Sequence, residues 1–416
     1  RSYFDELDKE SKLVTEVKII LIGEGAAGKT SLTKRVLTND FNPQESMTHG
    51  IRICPWKPME EQDEVKVNIW DFGGQEIMHA THQFFLSKRS LYVLVLDGRK
   101  DEEAEYWLRH VSTFGGESPV LIALNKQDEN CGFDLNRPHL KRKYPFIKGF
   151  FPTSCADGTG IAPFREALIQ ELLQLPMLET RWPMSWFKVK KQLEDIEDPF
   201  ISCDQYEECC KEAGITEEMS QEVLVDFLND LGVAIHFKGL DLDDTHVLNP
   251  IWLTNGVYRI VTEGEVVRQG GILHEDSLRN ILKKRDGDTH CYPRSRHRFL
   301  LRLMQEFELC YDLDNQRVLI PQLLPIQEPD LDFNEDDSLR FTLHYPDFLP
   351  PSIMPRFLVK MHKDIQDDLR WRTGVVLENP TFGARALVRA DNEARRINFF
   401  VQGSRNTNHD KFCLFI

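Results

Sequence analysis

The chain has 416 residues and a mass of 48.5 kDa, enough for two or three domains that each bury a core. Hydrophobic residues make up 41% and charged ones 28%, a globular composition that excludes disordered and collagen-like classes. The formal net charge of −16, from 51 Lys and Arg against 67 Asp and Glu, repels nucleic acid and anionic membrane, so any phosphate must be held by a local site. No apolar run approaches the ~18–20 residues needed to span a bilayer. Nine cysteines without a CxxC argue against a disulfide framework or zinc ribbon and fit a reducing cytoplasm. The start at Arg1 lacks a charged-then-apolar leader pattern and reads as that of an excised fragment.

In chain order, short apolar runs over residues 17–22, 65–70, 91–96 and 120–124 alternate with helical stretches as far as residue 173. Near-continuous apolar strands between amphipathic segments predict an α/β domain, with a mostly parallel sheet covered by helices on both faces. Ligands of such sheets bind at the carboxyl ends of the strands, where this chain places its polar residues. The first of these ends carries Gly23-Glu24-Gly25-Ala26-Ala27-Gly28-Lys29-Thr30-Ser31, a full GxxxxGK[ST] between strand and helix. The backbone N–H groups of such a loop wrap phosphates, Lys29 reaches the terminal ones, and the Thr30 hydroxyl holds Mg²⁺.

The second run leads into Asp71-Phe72-Gly73-Gly74-Gln75-Glu76. Asp71 is the expected partner of the P-loop metal, acting through water. Gly74 can bring its N–H to the terminal phosphate, and Gln75 sits where the attacking water is oriented. After the third run comes Arg99, for which two readings stand: a transition-state cation offered across a dimer face, or a surface salt bridge to Asp101, Glu102 or Glu103. The pair His79 and His82 lacks the Glu or Cys that would complete a metal site and reads as packing or interface. The basic cluster Lys141-Arg142-Lys143 is a solvated helix face or a docking point. After the fourth run, Asn125-Lys126-Gln127-Asp128 selects the base: a carboxylate accepts from N1–H and the exocyclic amine of guanine, which adenine does not offer. The nucleotide is therefore GTP or GDP. Ser154-Cys155-Ala156 either closes over guanine O6 with backbone N–H groups or is a simple turn.

Beyond the Pro- and Trp-containing boundary at 174–186, helical patterns are expected over 186–196, 206–213 and 221–231, then strands over 234–237 and 246–248. Helix–turn–helix followed by a β-ribbon resembles a winged helix. Acidic residues between Cys203 and Arg259 far outnumber Lys211, Lys238 and Arg259, which argues for protein packing rather than DNA reading. A helix over 295–309 and a strand over 318–320 follow, then a solvated acidic loop. The final α+β unit has a strand from residue 339, a helix over 353–370, and strands over 373–377, 384–389, 397–401 and 412–416.

With all guanine-nucleotide motifs in order, residues 16–175 resemble the Ras-like GTPases. That resemblance places Phe41 against the base and makes Thr48 the switch threonine for Mg²⁺ and the terminal phosphate, although Phe41 also reads as core and Ser46 lies close to Thr48. It also puts Gly25 where side chains obstruct hydrolysis. The run from Asp71 to Glu76 with His79, His82, Phe84 and Phe85, and Ser154-Cys155 ahead of Gly158-Thr159-Gly160-Ile161, are similar to the Roc domain of Roco proteins. Pro183-Met184-Ser185-Trp186, Leu231-Gly232 and Asn249-Pro250-Ile251-Trp252-Leu253 look like the COR domain that follows Roc. The resemblance divides the chain into an N-terminal linker (1–15), Roc (16–175), a winged-helix-like COR subdomain (176–317) and a truncated C-terminal COR subdomain (318–416). It implies a homodimer through the C-terminal half of COR, Roc–Roc contact in the GTP state, and Mg²⁺-dependent hydrolysis coupled to dimer rearrangement without an external activator. The other reading is a guanine-nucleotide-dependent dimerisation scaffold with negligible hydrolysis. No nucleic-acid partner or membrane segment is expected.

Overall fold

The computed structural model describes residues 10–48, 50–58, 65–74, 85–98, 103–237, 245–286, 288, 290–345, 349–381 and 383–403. The chain divides into two compact units, Arg1–Asn255 and Gly256–Ile416.

The first unit is built on a six-stranded sheet, ordered β3-β4-β2-β5-β6-β7. Its strands are β2 (Glu16–Ile22), β3 (Ile51–Trp56), β4 (Lys66–Phe72), β5 (Leu91–Leu96), β6 (Val120–Leu124) and β7 (Ile147–Pro152). All neighbouring pairs run parallel except β3 with β4. The sheet is therefore mostly parallel, as its apolar runs imply. β5 and β6 are buried at every position, which is why they read as unbroken hydrophobic runs. β3 and β7 fall outside the expected strands because they are the edges. Pro55 and the exposed Arg52 interrupt β3, while Lys148 and Gly149 interrupt β7. Helices α1 (Lys29–Thr38), α2 (Glu103–His110) and α3 (Arg137–Lys143) connect strands, and α4 (Ile161–Leu173) follows β7.

Residues 11–13, expected to be linker, form β1 (Ser11–Leu13), antiparallel to β8 (Arg181–Pro183). The boundary at 174–186 is accordingly a packed joint. Trp182 and Trp186 are fully buried, and the Trp182 ring lies 5.5–5.6 Å from Trp186, Phe187 and Phe227. One apolar core runs from Ile19 and Leu21 in the sheet, through Trp186 and Val189 of α5 (Met184–Glu194), to Leu224 and Leu228. The last two belong to α7 (Glu218–Leu231), which follows α6 (Cys203–Glu212). Ser202 and Gln205 form a capping box that starts α6. The ribbon consists of β9 (Phe200–Ser202) and β10 (Thr245–Val247). The strand expected over 234–237 is reduced to a single bridge between Ile235 and Val247. Helix α8 (Pro250–Val261) follows.

The C-terminus of α7 backs the sheet directly behind β4. At Gly232, with φ 79°, a methyl group would strike the Trp70 ring. Asp230 pairs with Arg89, whose guanidinium lies 4.1 Å from the centre of the Phe227 ring. Lys18 Nζ lies 4.1 Å from the centre of the Trp70 ring and donates to the Phe85 carbonyl at 2.7 Å. Burial pulls the Lys18 ammonium down to about 7, and the Asp230 carboxylate works against that shift.

The second unit contains a three-stranded sheet, β11 (Ile272–His274), β13 (Arg317–Leu319) and β12 (Tyr311–Asp312), in that order. Its helix α9 (His297–Glu306) buries Phe299, Leu300, Leu303 and Met304. A five-stranded antiparallel sheet follows, ordered β14 (Leu339–His344), β18 (Arg396–Gly403), β17 (Ala384–Asp391), β16 (Gly374–Asn379) and β15 (Ile365–Trp371). Helix α10 (Ile353–Met361) buries Met354 and Leu358 in its core. The helix expected over 353–370 thus ends early, and its second half is β15. Asp367 and Asp368 adopt positive φ where the register against β16 shifts, and this irregularity hides the two-residue alternation of a strand. The strand expected over 412–416 lies outside the described residues. Among the described residues no helix is long and apolar enough to cross a membrane, and eight cysteines form no disulfide.

Candidate guanine-nucleotide site

The loop from Gly23 to Gly28 joins β2 to α1 at the carboxyl edge of the sheet. Ala26 and Gly28 take left-handed backbone conformations, with φ 63° and 96°. Gly28 caps α1 and accepts the Leu32 N–H at 2.8 Å. A side chain at Gly28 would run into the Asn125 amide, which itself donates to the Ala27 carbonyl at 2.9 Å. Lys29 is buried and donates to the carbonyls of Gly23 and Glu24 at 2.7 and 2.8 Å. Burial lowers its pKa, and the carboxylates of Asp71, Glu24 and Asp97 oppose that shift. Ser31 is half-buried in the first turn of α1.

Three oxygen-bearing side chains converge beside Lys29. Thr30 Oγ1 donates to Asp71 Oδ2 at 2.5 Å and lies 2.9 Å from Thr48 Oγ1. Asp71 is 1% exposed, and burial raises its pKa while the Thr30 hydroxyl and Lys29 lower it. Its other oxygen, Oδ1, is buried without a hydrogen-bond partner among the described residues. A buried carboxylate with one unsatisfied oxygen and two hydroxyls next to it suits a hard divalent cation that takes its remaining ligands from phosphate and water. The residues present therefore fit Mg²⁺. Gly74 packs against the P-loop so closely that a methyl at Gly25 would stand 2.8 Å from the Gly74 carbonyl oxygen. One at Gly74 would stand 2.5 Å from Gly25 N. Gln75, Glu76, His79, His82, Phe84 and Arg99 lie outside the described residues.

The two segments expected to select the base meet at the ends of β6 and β7. Asn125 is 1% exposed, and its Oδ1 lies 3.3 Å from the Cys155 thiol, which burial pushes up to about 11. Lys126, with φ 58°, reaches Asp97 at 3.5 Å. Asp128 is exposed, and its carboxylate accepts from Ser154 Oγ at 2.6 Å. Ser154 and Cys155 are buried and Ala156 is exposed. Phe41 is half-buried and packs at the margin of the core. Two residues outside the sequence motifs also take part. Asp97 pairs with Lys126, and Arg35 on α1 reaches the carbonyls of Cys155 and Ala156. Asp97 closes an apolar run, a visible signal; Arg35 has none, being one helical cation among many.

Comparison with known proteins gives the family. Residues 18–128 match the Ras of Complex, Roc, domain of DAPkinase, residues 183–324 the C-terminal of Roc COR-A domain, and residues 336–412 the COR-B domain. The solved structure of Methanosarcina barkeri Roco2 RocCORdC bound to GDP is similar at a TM-score of 0.70 and 51% identity, covering 77% of this chain and 100% of that one. The chain belongs to the Roco family. Among curated Roco relatives, a Roc-COR-CHAT protease of Runella zeae is 27% identical over 91% of this chain and 43% of its own length. The probable serine/threonine-protein kinase roco5 of Dictyostelium discoideum is 28% identical over 76% of this chain and 13% of its own. The chain thus spans less than half the length of these two relatives. It carries Roc and COR domains, and its Roc domain places it in a family of GTP-binding GTPases.

Proposed function

We propose that this Roco chain is a GTP-hydrolysing molecular switch whose nucleotide cycle rearranges a COR-mediated homodimer. The observation that carries the reading is the convergence of Thr30, Thr48 and Asp71 beside the buried Lys29. In this reading the N–H groups of residues 23–31 wrap the phosphates, and Lys29 balances charge on the terminal ones. Thr30, Thr48 and Asp71 hold Mg²⁺, which supplies Lewis-acid stabilisation of the phosphates when bound. Gln75 orients the water that attacks the γ-phosphorus as the bond to the β-phosphate oxygen breaks, giving GDP and phosphate. Arg99 adds positive charge from the neighbouring protomer. Asn125, Lys126 and Asp128 hold guanine, Phe41 stacks on it, and Ser154, Cys155 and Ala156 close over O6.

The switch segments have physical routes to COR. The Gly50 carbonyl accepts the Gly73 N–H at 2.8 Å, and a methyl at Gly50 would stand 2.8 Å from Asn255 Oδ1 on α8. On the other face, Trp70 next to Asp71 rests on Gly232. A γ-phosphate that draws Thr48 and Gly74 inward therefore pulls on both contacts. For the dimer, the edge strand β14 has Leu339 and Leu343 exposed by 44% and 47%. An edge of this kind favours pairing with another chain. We place Roc at 16–175 and the two COR subdomains at 176–317 and 318–416.

Single-turnover GTP cleavage as a function of chain concentration tests this proposal. Specific activity should rise with concentration as dimers form, and Arg99→Ala should slow cleavage while sparing affinity. Flat and negligible cleavage would replace the switch with a nucleotide-dependent dimerisation scaffold.

A further inference from the structure

We propose that Arg35 is a specificity-positioning residue: its guanidinium holds the 154–156 loop in the one orientation that presents backbone N–H groups to a 6-oxo purine. The inference rests on the guanine reading above and adds a residue outside the sequence motifs. Arg35 lies on α1, half-buried. Its Nε donates to the Cys155 carbonyl at 2.7 Å, and Nη2 donates to the Ala156 carbonyl at 3.0 Å. Nη1 donates to the Asn39 carbonyl at 2.7 Å, where the chain leaves α1 in a left-handed conformation on its way to Phe41. The guanidinium carbon also lies 5.4 Å from the centre of the Phe41 ring, within reach of a cation–π contact. One planar group thus ties together the phosphate-loop helix, the approach to the stacking aromatic and the loop beside Asp128. Only arginine carries enough donors in a rigid fork to make all three links.

The direction of the loop follows from peptide geometry. In a trans peptide the C=O and N–H point in opposite directions. The Cys155 carbonyl shares its peptide plane with the Ala156 N–H, so a guanidinium on the carbonyl aims that N–H away from α1. The preceding plane is pinned in the same manner: the Ser154 carbonyl accepts the Gly158 N–H at 3.0 Å, which orients the Cys155 N–H. Among the described residues no acceptor meets either the Cys155 or the Ala156 N–H. The neighbouring donors are already used, Ser154 N–H on the Thr159 carbonyl at 2.9 Å and Asp157 N–H on Ser154 Oγ at 3.3 Å. Two unclaimed donors therefore stand next to Asp128, which is tied to the same loop through Ser154 Oγ at 2.6 Å. Paired donors match the O6 carbonyl of guanine or hypoxanthine and oppose the N6 amine of adenine.

The test measures GDP, IDP and ADP affinity with Mg²⁺ for the full chain and for Arg35→Ala and Arg35→Lys, alongside thermal melts without nucleotide. Arg35→Ala should lose about 10–100-fold in affinity for GDP and IDP alike, leaving their ratio to Asp128. Its ADP affinity, held by the phosphate loop, should stay within about 2-fold of wild type. A general weakening of the fold would lower all three together, so the GDP-to-ADP ratio separates positioning from simple stability. Arg35→Lys keeps the charge without the fork and should lose selectivity in the same direction. If Arg35→Ala keeps the wild-type GDP-to-ADP ratio, or if Arg35→Lys matches wild type, the clamp is wrong while the guanine site stands. If wild type itself shows no preference for GDP over ADP, the guanine reading fails first.

Discussion

Asp128→Asn should lower GDP affinity by about 10³–10⁴-fold and turn the preference toward xanthosine diphosphate. The Ser154 hydroxyl holds the Asp128 carboxylate at 2.6 Å, so its acceptor atoms are oriented before any base arrives. Guanine offers two donors, N1–H and the exocyclic amine. The substitution places an amide N–H₂ against that amine, donor against donor, and leaves both unpaired in a pocket built to pair them. Xanthine carries a carbonyl at that carbon and accepts from the new amide while still donating N1–H. Parallel titrations with the two diphosphates check this. An unchanged GDP preference would remove Asp128 from base recognition.

Trp182→Ala should cost ~3–5 kcal/mol and bring down Roc and the helix–turn–helix region together. The side chain is fully buried and meets Trp186, Phe187 and Phe227, so truncation leaves a cavity flanked by three rings. Those rings belong to a core that continues into β2 and β5 through Ile19, Leu21 and Val93. Because this core is continuous across the joint, the two halves should unfold in one transition. Urea unfolding followed by circular dichroism and by release of fluorescent GDP checks this. Coincident midpoints, both shifted down in Trp182→Ala, are expected. Two separate transitions, or a loss under ~1 kcal/mol, would make the joint a linker after all.

The central strands were legible because β2, β5 and β6 are buried on both faces and written in unbroken apolar residues. β3 and β7 were not, since edge strands tolerate Pro55, Lys148 and Gly149 and lose the pattern that announces a strand. The helix expected through residue 370 failed for a different reason. Ile365 and Leu369 mimic helical spacing only because a register shift at Asp367 and Asp368 disrupts the alternation between them. At the site, phosphate loops and base loops obey local rules, because a tight approach to phosphate demands glycine and a base edge demands a fixed carboxylate. The proximity of Lys29, Thr30 and Asp71 was therefore readable in one dimension. Arg35 was not, because its partners lie 120 residues away and only the fold brings them together. The joint through Trp182 was half legible: two tryptophans near prolines marked a boundary, but not the pairing of β1 with β8.

The most direct measurement is calorimetric titration of GDP and ADP, with Mg²⁺, into the wild-type chain and into Lys29→Ala. The guanine-site account predicts saturable GDP binding at least ~10³-fold tighter than ADP, lost in Lys29→Ala without a change in the folded baseline. Equal affinity for the two nucleotides, or GDP binding that survives Lys29→Ala unchanged, would contradict it.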